Sequence, residues 1–171
     1  IKFIQNKSLE LSLFLCLPAT FALLISSEQI TSALFGYGSF DYSSVKNSSK
    51  ALFYFAYGLP AFALIKVFSS YIFARHNTKV PFIISIYSVT INVCISLYFF
   101  SDIGFIIIPI ATTISSWFNA TVLFGYLIKK KYFVLESALS FSIFKIILSS
   151  ILTSFLFYQL IIYFNDLLIY E

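Results

Sequence analysis

Apolar residues along this chain fall into long unbroken runs rather than the period-two alternation of a half-buried strand. A bilayer core requires about 20 apolar residues in a helix. Five stretches meet that length: Leu9–Phe35, Lys50–Ala74, Val80–Phe100, Gly104–Ile128 and Ser137–Phe164. Barrel strands would alternate polar and apolar residues over about ten positions, which these runs do not. The pattern predicts an all-α fold, a polytopic helical membrane protein with five transmembrane helices. Its connections are short, so consecutive helices should be antiparallel neighbours, and no soluble domain is expected anywhere in 1–171.

The stretch from Ala51 to Pro81, ALFYFAYGLPAFALIKVFSSYIFARHNTKVP, is the most costly to place in lipid. Gly58 and Pro60 interrupt it, and Lys66 lies inside it. Pro60 lacks a backbone donor and would crowd the carbonyl of Ala56, so a bend is expected where a neighbouring helix or a water satisfies the freed group. A lysine at the centre of a span costs about 2.5–3.5 kcal/mol on insertion scales, less if it snorkels. Pro18 and Pro109 are further candidate hinges. Gly36 and Gly38, in LFGYGSFD, predict a tight reversal with positive backbone dihedrals; that Gly-x-Gly follows a helix and lacks the third glycine of a phosphate cradle.

Polar residues recur within the apolar runs. Asn92 sits at mid-depth of the third. Thr112, Ser115, Ser116 and Asn119 share one face of the fourth, and Ser142, Lys145, Ser149 and Thr153 share one side of the fifth. Such a stripe either bonds a neighbouring helix or lines a wet cavity.

Composition supports lipid as the solvent. The chain is 60% hydrophobic and 11% charged, with mean hydropathy +0.93, against about 45–50% apolar and 25% charged for soluble domains. It begins at Ile1 and contains no methionine, which reads as a fragment of a longer protein. Leu9–Ser27 is too long for a signal peptide and lacks a small-residue cleavage site. Cys16 and Cys94 lie in apolar segments and read as small hydrophobes. Lysine and arginine set the orientation. Lys2, Lys7, Arg75, Lys79, Lys129, Lys130 and Lys131 fall on one side and only Lys46 and Lys50 on the other. The N-terminal end is therefore expected in the cytoplasm and the C-terminal end on the opposite, periplasmic side.

Catalysis would need a nucleophile with a base, paired carboxylates or a metal cluster. The lone histidine, His76, falls in a loop beside Arg75, and the carboxylates avoid mid-membrane. Neither an enzyme, a metal site nor a cofactor is expected, and no nucleic-acid partner. Asn47-Ser48-Ser49 and Asn119-Ala120-Thr121 match the glycosylation pattern, a short pattern expected by chance. Two functions remain open: transport, with Lys66 and the polar stripes lining a path, or a membrane scaffold that buries the same residues in helix contacts.

LPATFALLISSEQITSALFGYGSFD (Leu17 to Asp41), YGLPAFALIKVFSSYIFARHNTKVP (Tyr57 to Pro81) and IATTISSWFNATVLFGYLIKKK (Ile110 to Lys131) together resemble the C-terminal half of the MurJ/MviN lipid II flippases. The likeness covers roughly residues 9–131 and is carried by the LPAT, GxGxFD, YGLPAFALxK and TTxxxWxNA elements. It implies a fourteen-helix, two-lobed protein of the multidrug/oligosaccharidyl-lipid/polysaccharide exporter superfamily, in the bacterial inner membrane. The five spans would be helices nine to thirteen of its second lobe. The implied activity is movement of undecaprenyl-diphosphate-linked peptidoglycan precursor to the outer leaflet. The implied partners are lipid II, membrane lipids and the missing N-terminal lobe. The resemblance carries Lys66, Arg75, Asn92 and Asn119 over as candidate substrate contacts. An exporter of another lipid-linked glycan and a scaffold without transport stay open.

Overall fold

The structure, a computed structural model, describes residues 2–38 and 41–163 and is helical throughout those residues apart from its connections. The predicted end of the last span at Phe164, the C-terminal end, and Ser39 and Phe40 of the GxGxFD element lie outside the described residues. Six helices follow in order: α1 (Lys2–Phe35), α2 (Tyr42–Ala56), α3 (Leu59–Phe73), α4 (Lys79–Ile103), α5 (Ile107–Lys129) and α6 (Ser137–Tyr163).

α1 is longer than a bilayer core requires, and it carries Pro18 in its interior. Its irregular dihedrals nevertheless fall at Ser26 (φ −123°, ψ 24°) rather than at Pro18. There the Ser26 hydroxyl donates to the Ala22 carbonyl at 2.6 Å, a back-bond that competes with the helical ladder and bends it. After α1, Gly36 and Gly38 serve different ends. Gly38 takes the left-handed φ of +69°, as a reversal needs. Gly36 instead lies against the preceding turn, where a Cβ would stand 2.5 Å from the Ser32 carbonyl.

The stretch expected as one bent span, Lys50–Ala74, is two helices meeting at 43°. The first begins at Tyr42, earlier than the apolar run, because Asp41 caps it by accepting from the Ser44 N–H at 2.9 Å. The break itself falls at Tyr57 and Gly58, and Pro60 occupies the first turn of α3, where its missing donor costs no helical bond. Pro109 likewise sits in the first turn of α5, a helix-starting position rather than a hinge.

From Lys79 to Lys129 the chain is apolar and helical almost without pause, yet it crosses twice. Gly104, at φ 73° and ψ −153°, uses backbone space that is essentially glycine's alone, and a 3-10 turn over Gly104–Ile106 starts the return. Ser88 donates to the Ser115 carbonyl at 2.6 Å and Asn92 to the Thr112 hydroxyl at 3.0 Å, which fixes α4 and α5 as an antiparallel pair. With α2 and α3 taken as one broken span, the bundle has five.

The buried core joins α1, α3, α4, α5, α6 and the α5–α6 connection: Leu9, Leu13, Phe68, Ile72, Ile84, Leu123, Leu127, Phe133 and Leu139. Tyr71 and Phe133 stack at 5.9 Å, and Phe124 packs on both Phe68 and Phe133. By contrast Leu97, Tyr98 and Leu156 are 74%, 77% and 64% exposed. Outward apolar surface on that scale fits lipid or further helices as neighbours.

Candidate functional site

Three connections gather at one end of the bundle. The Asn6 amide on α1 donates to the Val134 carbonyl at 3.0 Å, and its oxygen accepts from the Glu136 N–H at 3.3 Å. The Tyr71 hydroxyl donates to the Gln5 carbonyl. Arg75 donates to the Tyr71 and Tyr132 carbonyls, both at 2.7 Å, with its guanidinium 4.4 Å from the Tyr132 ring centroid. Asn77 completes the set by donating to the Tyr126 hydroxyl at 3.3 Å. The N-terminal end, the α3–α4 connection and the α5–α6 connection therefore share one end, and with them the seven cations counted together from sequence. Lys46 and Lys50 line a cleft with Glu28 and Ile106 near the opposite turn.

Two residues at this end adopt left-handed backbone without being glycine, His76 (φ 56°) and Lys131 (φ 55°). Each terminates a helix. After Lys131, the Tyr132 N–H returns to the Leu127 carbonyl at 2.9 Å and the Lys131 N–H to Ile128 at 2.9 Å, the paired bonds of a Schellman cap. At His76 the N–H bonds the Phe73 carbonyl at 2.8 Å. Backbone geometry thus accounts for the histidine's position.

Beside this end an open groove of about 1080 Å³ runs between α3 and α4. Lys66, Ser69 and Phe73 line it from α3, Thr78 from the connection, and Lys79, Phe82 and Ser85 from α4. Among the described residues the one ion pair joins Lys7 to Glu10, so neither groove lysine has a carboxylate partner. Lys66 lies about 12 Å below the Ala74 end of α3 at 1.5 Å per residue, and Lys79 sits at the rim.

The four residues carried over as candidate contacts are not brought together. Lys66 is exposed in the groove. Arg75 lines a separate cleft of about 390 Å³ with Ile4, Gln5 and Tyr71, and two of its donors are spent on carbonyls. Asn92 is committed to Thr112 and Ser115. Asn119 is buried, its Oδ1 without a partner among the described residues, and lines neither the groove nor the cleft. Of the polar stripe of α5, Thr112 and Ser115 accept from Asn92 on α4 and Ser116 donates back to the Thr112 carbonyl; beside the stripe, Thr113 donates to Tyr54 on α2 and Trp117 to Tyr57 at the α2–α3 break. Lys145 on α6 rests 4.3 Å from the Phe141 ring centroid. The sequence does not single out Gln5, Asn6, Ser69 or Ser85, and it marks Lys79 only as a cation that sets orientation. The helical spacing of Lys66, Ser69 and Phe73 is the one signal that could have placed them on a shared face.

These features define a polytopic α-helical membrane protein in which some polar side chains tie helices together, many hydroxyls bond back to their own helix, and a basic groove between α3 and α4 is left open. Comparison with known proteins narrows the class. The family described as lipid II flippase MurJ matches residues 1–170, and the chain belongs to that family. A probable lipid II flippase MurJ of Rickettsia prowazekii is 34% identical over 88% of this chain and 30% of its own length. One of Rhizobium meliloti is 41% identical over 73% of this chain and 23% of its own. A solved structure, lipid II flippase MurJ in an inward closed conformation, matches with a TM-score of 0.77 at 24% identity. It shares the fold over 97% of this chain and 40% of that one. The chain thus spans less than a third of the length of these two curated relatives.

Proposed function

We propose that this chain forms part of the second lobe of a lipid II flippase, which moves undecaprenyl-diphosphate-linked peptidoglycan precursor across the bacterial inner membrane. The observation that carries this reading is the family match along 1–170, which the five-span bundle accompanies. The end bearing seven cations faces the cytoplasm. The chain is a transport element rather than an enzyme, and it works against an opposing lobe that it does not contain. Of the four candidate contacts, Lys66 is the best placed to meet a headgroup, being exposed and without a carboxylate partner among the described residues. Arg75, Asn92 and Asn119 act on the substrate only through the shape of the lobe.

A chimera tests this. Residues 1–170 replace the matching segment of the full-length Rhizobium meliloti relative, in a strain depleted of its own flippase. Restored growth with lipid II exposed at the outer leaflet is expected. A chimera that inserts and folds yet leaves lipid II inaccessible would overturn the reading, and restored export of a different lipid-linked glycan would reassign its cargo.

A further inference from the structure

We infer that the groove between α3 and α4 is a diphosphate site for the lipid-linked cargo, with Lys79 and the hydroxyls of Ser69, Thr78 and Ser85 acting beside Lys66. The inference rests on the flippase reading and adds to it the residues that receive the head group. Lys66 and Lys79 line one groove, both without carboxylate partners among the described residues, and no acidic residue lines it. The Ser70 hydroxyl is spent on the Lys66 carbonyl at 2.8 Å. Those of Ser69, Thr78 and Ser85 make no hydrogen bond among the described residues. The groove thus offers cations and donors and lacks acidic acceptors, the complement of a phosphoryl group.

Charge matching selects the ligand. A lipid diphosphate diester carries two negative charges and a dense set of acceptor oxygens, against one charge for the phosphodiester of phosphatidylglycerol. Two ammonium groups on flexible four-carbon stems can converge on such a ligand from the rim and from depth. Basic pockets between helices at the cytoplasmic face are where anionic lipid heads are held. Phe73 and Phe82, 48% and 66% exposed, give the first prenyl units an apolar wall, and the open side leaves the rest of the tail in lipid.

The test uses the full-length chimera in nanodiscs, with native mass spectrometry reading bound undecaprenyl diphosphate, phosphatidylglycerol and phosphatidylcholine. Lys66→Gln and Lys79→Gln should each weaken undecaprenyl diphosphate binding about fivefold to tenfold. Ser69→Ala with Ser85→Ala should weaken it with net charge unchanged. Lys129→Gln with Lys130→Gln, at the same end but outside the groove, should leave it intact. Equal losses in that control would make the effect a surface field, and equal retention of phosphatidylglycerol would make the groove a leaflet-lipid site. Either result overturns the assignment, as does binding that no groove variant changes. A chimera that restores growth while the groove variants bind normally refutes the groove and leaves the flippase reading standing. One that binds diphosphate through the groove yet fails to restore growth does the reverse.

Discussion

Asn6 shows how much one amide does at the end of this bundle. It is 5% exposed and satisfies both the Val134 carbonyl and the Glu136 N–H, holding the α5–α6 connection against α1. Asn6→Ala should leave both groups unpaired at a cost of about 1–3 kcal/mol, read as faster amide exchange over 133–136 and a lower melting temperature. His76 makes the opposite case. As a non-glycine residue at φ 56° it bears local strain, so His76→Gly should be neutral or stabilising by up to about 1 kcal/mol in thermal denaturation. Asp41 titrates outside the spans. Hydrogen bonds from Ser44, then Ser43, hold its carboxyl below the usual carboxylate range. A lowered folded value means the cap's contribution is full above the unfolded value of about 3.9 and is lost as pH falls through the folded one. Exchange of the Ser44 amide, corrected for intrinsic rate, should therefore rise at low pH in the wild type and stay level in Asp41→Asn, which keeps a capping side chain without the charge.

Among the elements, the α2–α3 break has the clearest physical account. The Gly58 N–H turns to the Phe55 carbonyl at 2.9 Å, abandoning the Tyr54 carbonyl that an unbroken helix would use. Thr113 on α5 donates to that carbonyl at 2.8 Å, and Trp117, one turn on, donates to Tyr57 at 3.0 Å. The TTxxxWxNA element thus services a break made by YGLP. Gly58 is constrained too, because a Cβ there would stand 3.0 Å from the Thr113 hydroxyl. Thr113→Val should cost about 0.6–1.7 kcal/mol, the range of interhelical bonds in membranes. Gly58→Val should cost more by pushing α5 away, and both are measurable by unfolding in mixed micelles. The bend at this stretch was legible because proline and glycine act locally. Its exact place was not, because Pro60 tolerates the first turn of a helix as well as a kink, and contact with α5 selects between them.

For the whole molecule, sidedness is the property on which the functional reading depends. Cysteines introduced near Asp41 and near Lys130 should react with impermeant reagent from opposite faces of the membrane; reaction from one face would refute both the orientation and the proposed role. The five spans, their antiparallel order and the clustering of cations were legible because each follows from run length and charge along the chain. Which polar residues stay available was not legible. Lys66, Arg75, Asn92 and Asn119 look alike in sequence, as polar residues in or beside apolar runs, but distant elements occupy two of them, Tyr132 at Arg75 and Thr112 and Ser115 at Asn92, while Asn119 is turned to the buried face of its own helix.

Sequence by itself determined that this protein lives in lipid, which stretches are long enough to cross it, and that the stretch around Gly58 and Pro60 must bend, since hydrocarbon burial and backbone sterics are properties of short segments. Tertiary structure alone decided the fate of the polar groups. A hydroxyl inside a bilayer can always fall back on a carbonyl of its own helix, but whether a polar group or cation also meets a neighbouring helix or stays open to a ligand depends on which helices meet, a matter of packing between residues far apart in the chain.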